Sequence, residues 1–153
     1  MEEGLTIDSR AFEELGAGKT EVPLNQYSPL VLAYIGDAVY ELFVRNHLVS
    51  RKNCPVQKLH KEAIRYVRAA AQAEIVTYWL EEGILTEEEE SVFRRGKNAH
   101  AHTIPKNANP AEYRKATAFE AVIGYLYLKG DMNRATKLMR GGVECLTPQE
   151  ERK

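Results

Sequence analysis

Two acidic residues stand inside apolar, helix-like stretches of this 153-residue chain. Asp37 lies within Tyr34-Ile35-Gly36-Asp37-Ala38-Val39-Tyr40, and Glu120 within Thr117-Ala118-Phe119-Glu120-Ala121-Val122-Ile123-Gly124. Taking a carboxylate out of water is unfavourable unless a cation, a metal or a hydrogen-bond donor compensates it. Two such residues, each flanked by small and apolar neighbours, point to a cation held between two helices. An all-oxygen donor set suits Mg²⁺, with Mn²⁺ as a substitute. One or two carboxylates commonly hold Mg²⁺, with water and substrate phosphates completing the shell. Such a centre activates water and stabilises the charge that develops in phosphodiester hydrolysis. The plainer alternative is a structural ion pair for each carboxylate, which accounts for either one alone better than for both.

The elements that must carry these residues read as helices. Ser28-Pro29 is a start signal, a side-chain cap followed by proline in the first turn, for a helix running to about Leu48. Its apolar residues Leu30, Val31, Tyr34, Ile35, Ala38 and Leu42 cover most of the circumference, which predicts a central helix. Ala33, Asp37 and Glu41 share one face at spacing four, as do Thr117, Glu120 and Gly124 in the later helix. Asn53-Cys54-Pro55 opens a second helix that continues, with a kink near Ala70, to Glu82 and the stop at Gly83. Thr86 and Glu89 form a capping box for a helix over about Glu87 to Arg95. A polar loop from Gly96 to Asn109 follows, long enough to be functional. Asn109-Pro110 starts a helix to Leu128, and Gly130-Asp131 separates it from a last amphipathic helix over Met132 to Glu144. No period-two segment or internal repeat is present, so the expectation is an all-α fold of about six helices. It divides into an irregular arm (1–27), whose Leu5, Ile7, Phe12 and Leu15 can pack back on the core, a domain (28–146) and a polar tail (147–153).

Composition sets wide bounds. Apolar content of 44% supports a core, and the length fits one domain. No apolar run reaches a membrane span and the acidic N-terminus lacks a secretion signal, so a cytoplasmic protein is expected. Cys54 and Cys145 lack metal-ligand spacing and read as reduced thiols. The net charge of −1 hides segregation: residues 45–68 carry seven basic residues against one acidic, and residues 91–115 six against one. Two basic blocks in a neutral chain can build a local anion-binding face.

Several segments together resemble the ribonuclease III family. Ile35-Gly36-Asp37-Ala38-Val39 is similar to the core of its signature. Leu59-His60-Lys61, Tyr66-Val67 and Ala71-Gln72-Ala73 look like its second helix and the sequel. Phe119-Glu120-Ala121-Val122-Ile123-Gly124 with Tyr127-Leu128 looks like its last catalytic helix. The resemblance covers roughly residues 26 to 145 and leaves no room for the double-stranded-RNA-binding domain of longer members. This is the pattern of the short bacterial form, Mini-ribonuclease III. It implies a Mg²⁺-dependent homodimeric endoribonuclease that leaves 5′-phosphate and 3′-hydroxyl ends. It also implies action on the stem of the large-subunit (23S) ribosomal RNA precursor, with a ribosomal protein on the substrate as a further partner. Asp37 and Glu120 then take the catalytic and metal-binding roles. Ala33, Thr117 and Leu30 stand where longer members carry acids, leaving two of the family's carboxylates. Glu41 reads as a surface residue or a substitute carboxylate. The rival reading is a non-catalytic, ribosome-associated RNA-binding protein of the same fold.

Double-stranded RNA is recognised through backbone shape and 2′-hydroxyls. The segment Arg94, Arg95, Lys97, Asn98, His100, His102, Lys106 and Asn107 offers cations for phosphates with amide and imidazole groups for groove edges. Lys58, Lys61 and Arg65, continued by Arg68, form a second cationic stripe, which fits phosphate contact as well as it fits a solvated helix face. Trp79, Tyr78, Tyr125 and Tyr127 are expected in the core or a dimer interface.

Overall fold

The computed structural model describes residues 10–99 and 104–151, and among these all regular structure is helical. The α-helices are α1 (Arg10–Glu14), α2 (Pro29–Val49), α3 (Val56–Val67), α4 (Ala69–Glu81), α5 (Glu87–Lys97), α6 (Pro110–Lys129) and α7 (Met132–Leu146). Three starts follow the caps visible in the sequence. The Ser28 hydroxyl accepts from the Val31 N–H at 3.2 Å. Thr86 and Glu89 close the reciprocal capping box, and Asn109 Oδ1 accepts from the N–H groups of Ala111 and Glu112. Each satisfies backbone donors that a helix start leaves orphaned.

α6 is the central element. Its buried residues Ala116, Ala118, Phe119, Ala121, Val122, Ile123, Gly124 and Leu126 surround most of the helix, and α2, α4, α5 and α7 all pack on it. The expectation that α2 is central is corrected. It buries one side only, Leu32, Ala33, Gly36, Tyr40, Val44 and Leu48, while Leu30, Val31, Tyr34, Leu42 and Val49 face outward. An apolar residue on a helix is buried only where a neighbour covers that face, and the described residues supply one for half of α2. Phe119 is the hub of the core, with the Tyr40 ring edge-on at 4.8 Å and the Trp79 ring stacked at 5.1 Å. Tyr40 is buried and its hydroxyl donates to the Tyr66 carbonyl at 2.7 Å, tying α2 to α3.

α2 and α6 cross unusually closely, through two glycines. A Cβ built on Gly36 would lie 1.8 Å from the carbonyl oxygen of Glu120, and one on Gly124 would lie 1.9 Å from that of Leu32. Only glycine permits this approach.

The second predicted helix is two, broken at Arg68 close to the kink expected near Ala70. Arg68 is extended (ψ 154°) and ends α3, and α4 begins directly after it. Neither glycine nor proline marks the break. α5 runs on to Lys97 and a turn closes at Pro105–Ala108, so the polar connection is shorter than expected. In the arm, Phe12 packs partly on the core, Ala17 is buried and Leu15 is 73% exposed. Leu5 and Ile7 lie outside the described residues. Cys54 and Cys145 are not disulfide-bonded. At the far end, Arg134 of α7 grips the buried Glu89 carboxylate with Nε and Nη2 (2.8 and 2.9 Å) and donates to the Ile84 carbonyl at 2.8 Å. No helix among the described residues is long and apolar enough to cross a membrane.

Candidate active site

The glycine crossing brings the two carboxylates together. The atom against Gly36 is the carbonyl oxygen of Glu120 itself, so Asp37, the next residue, is delivered beside the Glu120 side chain. Burial first, then the charge of the neighbouring Asp37 and its acceptance of a hydrogen bond from the protonated form, together push the Glu120 carboxyl up to about 8 against the opposing hydrogen bond from Gln72. Desolvation and a like charge both disfavour ionisation, which explains the direction. Asp37 itself is exposed, contrary to the burial expected from its apolar neighbours. It lies at the edge of the outward side of α2, next to Tyr34 and Ala38, where none of the described residues covers it.

The pair fits a hard divalent cation. A mostly buried carboxyl held protonated against a second carboxylate is destabilised by the very charge that a cation would neutralise, and its open side faces solvent. Among the described residues no three His, Cys, Asp or Glu side chains converge. Asp37 and Glu120 would offer a cation two carboxylate ligands, within the range usual for Mg²⁺. Ala33 is buried, and the Thr117 hydroxyl donates to the Tyr113 carbonyl at 3.0 Å within its own helix. The Glu41 carboxylate accepts from Arg45 Nε at 3.1 Å, which makes it a surface ion-pair residue here.

The basic residues fall into two groups on elements that both pack against α2. Arg94, Arg95 and Asn98 line a shallow groove of about 610 Å³ beside Ser28, Pro29 and Leu30 at the start of α2. Arg95 also donates from Nη2 to the Tyr27 carbonyl at 2.9 Å, so it holds the entry to α2 in place. Lys97, Lys106 and Asn107 are exposed, while His100 and His102 lie outside the described residues. Lys58 and Lys61 are exposed along α3. Arg65 stacks over the Tyr66 ring at 5.5 Å, lies 3.9 Å from Glu151, and borders a polar groove of about 650 Å³ with His47, Arg51 and Arg140. That groove contains neither Asp37 nor Glu120. Asp37 opens on the surface instead, with the mostly buried Glu120 behind it. Trp79 is fully buried, and Tyr78, Tyr125 and Tyr127 are partly buried against the core.

One residue of the site carried no role in the sequence reading. Gln72 of α4 is 2% exposed, and its Nε2 donates to the Val67 carbonyl at 2.9 Å and to Glu120 Oε2 at 3.3 Å. Its signal was the same oddity that marks Glu120, a polar side chain inside Ala69-Ala70-Ala71-Gln72-Ala73.

Comparison with known proteins agrees with this geometry. A family model described as the ribonuclease III domain matches residues 30–131. A protein named Mini-ribonuclease 3 from Thermoanaerobacter sp. (strain X514) is 48% identical over 119 residues, covering 78% of this chain and 82% of that protein. One of the same name from Streptococcus pneumoniae (strain ATCC BAA-255 / R6) is 42% identical over 118 residues, covering 77% of this chain and 92% of that protein. The X-ray crystal structure of a Fusobacterium nucleatum protein superposes with a TM-score of 0.70 at 31% identity, covering 78% of this chain and 95% of that one. The chain belongs to the ribonuclease III domain family, alongside the relatives named Mini-ribonuclease 3, and is an endoribonuclease.

Proposed function

We propose that this chain cleaves double-stranded RNA at the Asp37–Glu120 pair with Mg²⁺ or Mn²⁺ bound there, working as a homodimer in the cytoplasm. The juxtaposition of the two carboxylates at the α2–α6 glycine crossing carries the reading. When bound, the cation supplies a Lewis acid for the scissile phosphate and lowers the pKa of the attacking water. Glu120 must give up its proton to bind it, and Asp37 offers its carboxylate from the solvent side, where a duplex backbone can approach. The groove lined by Arg94, Arg95 and Asn98, with the exposed Lys97, Lys106, Asn107, Lys58 and Lys61, supplies phosphate and groove contacts on either side of α2. The proposed substrate is the stem of the large-subunit (23S) ribosomal RNA precursor, cut to 5′-phosphate and 3′-hydroxyl ends, and a ribosomal protein on that substrate is a proposed partner. The catalytic unit is taken as residues 28–146.

Support for the homodimer comes from α2. Val31, Tyr34, Ala38 and Leu42 recur at three- and four-residue spacing on its outward face, with Tyr34 82% exposed, and Asp37 borders them. A second copy seated there would cover the apolar stripe and set two sites side by side.

The test incubates the chain with a long RNA duplex, or a single strand, in Mg²⁺ or in EDTA. Duplex fragments are expected with Mg²⁺ alone and not from Asp37→Asn. Duplex that is retarded but intact would refute the nuclease and favour the non-catalytic RNA-binding alternative. Tyr34→Asp is expected to yield monomers by light scattering, and an unchanged mass would refute this interface.

A further inference from the structure

Gln72 is nearly fully buried in the first turns of α4, where an apolar side chain would pack without hydrogen-bonding demands. Its amide orientation is set by its neighbours. The Val67 carbonyl and the Glu120 carboxyl oxygen both accept, so only the NH₂ end can face them, and flipping the amide would set oxygen against two acceptors. The break at Arg68 makes this possible, because it ends α3 and leaves Val67 among the last carbonyls of that helix, without an intrahelical donor. The other end of the amide gains nothing. Gln72 Oε1 is buried without a hydrogen-bond partner among the described residues, a desolvation cost that leucine or methionine would not incur. The reason for an amide at this position must lie with its nitrogen.

We propose that Gln72 is a positioning residue for the metal site. Anchored on the Val67 carbonyl, its Nε2 holds Oε2 of Glu120 and so presents that carboxylate toward Asp37 and the cation. Among the described residues Glu120 has no other hydrogen-bonding anchor from α4, and its helix alone leaves the terminal torsion of a glutamate broad. Fixing one oxygen removes that freedom before the ion arrives. Partners of this kind commonly contribute about 10- to 100-fold to metal affinity. The inference rests on the nuclease reading above.

The experiment measures Mn²⁺ binding to the metal-free full chain by calorimetry, for wild type and for Gln72→Met, which keeps the length and loses the donor. Mn²⁺ affinity is expected to fall about 10- to 100-fold, while affinity for an RNA duplex in EDTA stays within about twofold. A purely structural role for Gln72 would lower the unfolding temperature and leave Mn²⁺ affinity unchanged; that result overturns the inference. Should Gln72→Met not fold, the wild-type protein decides the matter. The Gln72 side-chain amide resonances are expected to shift along a Mg²⁺ titration, and resonances that stay still overturn the inference. Wild type that takes up no Mn²⁺ sinks the nuclease reading and this inference together. Wild type that binds Mn²⁺ no more tightly than Gln72→Met sinks the inference alone.

Discussion

Replacing Glu120 by glutamine should stabilise the metal-free protein, by an amount that grows with pH. The Glu120 carboxyl, ordinarily at 4.5, is raised to about 8 by burial and by Asp37. Between these values the unfolded chain has released a proton that the folded chain keeps. The unfolded state therefore binds fewer protons, and stability falls as pH rises through the window. A tenfold change in a protonation equilibrium corresponds to about 1.4 kcal/mol. The loss is therefore about 3 kcal/mol by pH 7 and approaches about 5 kcal/mol above pH 8. Below pH 4.5 both states are protonated and the contribution vanishes. The glutamine side chain is isosteric and neutral, can still accept from Gln72, and can donate to Asp37. Urea unfolding in EDTA at pH 5, 7 and 9 checks the expectation. With a slope of about 2 kcal/mol per molar urea, the E120Q midpoint should exceed that of wild type by about 1.5 M at pH 7. The gap should be smaller at pH 5 and larger at pH 9. Midpoints that differ by the same amount at all three pH values would refute the assignment of the raised group to Glu120. With the proposed cation site, the same proton would govern metal uptake. Binding at pH 7 should release close to one proton per site in wild type, seen as a dependence of the binding heat on the buffer's ionisation enthalpy.

Further substitutions test the glycine crossing and the ion pair at the far end of the bundle. Gly124→Ala gains up to about 1 kcal/mol of helix propensity, but its Cβ would lie 1.9 Å from the Leu32 carbonyl. A net loss of about 2 kcal/mol or more in urea unfolding is expected, whereas Gly141→Ala, with nothing within 4 Å, should be neutral or stabilising. Arg134→Met leaves the Glu89 carboxylate, whose side chain is 4% exposed, with only the Thr86 capping contact. A loss of about 3–5 kcal/mol is expected, and a loss below about 1 kcal/mol would show that the pair is dispensable.

What the sequence made legible was local. Ser28-Pro29, Thr86 with Glu89, and Asn109-Pro110 declare helix starts because a cap is a bond between residues a few positions apart, and the structure places α2, α5 and α6 accordingly. The break at Arg68 carries no such residue and depends on how α3 and α4 pack, as does the choice of α6 over α2 as the centre. Both helices are apolar, and only the tertiary arrangement decides which faces are covered. The same limit explains the misplaced burial of Asp37 and the unforeseen hydrogen bond from Gln72 to Glu120. The nearness of the two carboxylates was legible all the same, because their motifs also carry the packing contact. Gly36 and Gly124 appear in the sequence as parts of two short motifs, each adjoining or one turn from a carboxylate. In the structure each is a backbone contact between α2 and α6, and the oxygen that forbids a side chain at Gly36 belongs to Glu120. A side chain there would thicken the crossing and move Asp37 away from Glu120. The glycine contact thus sets the spacing of the two acids as well as the packing of α2 on α6, so the segments that carry the acids also carry the crossing.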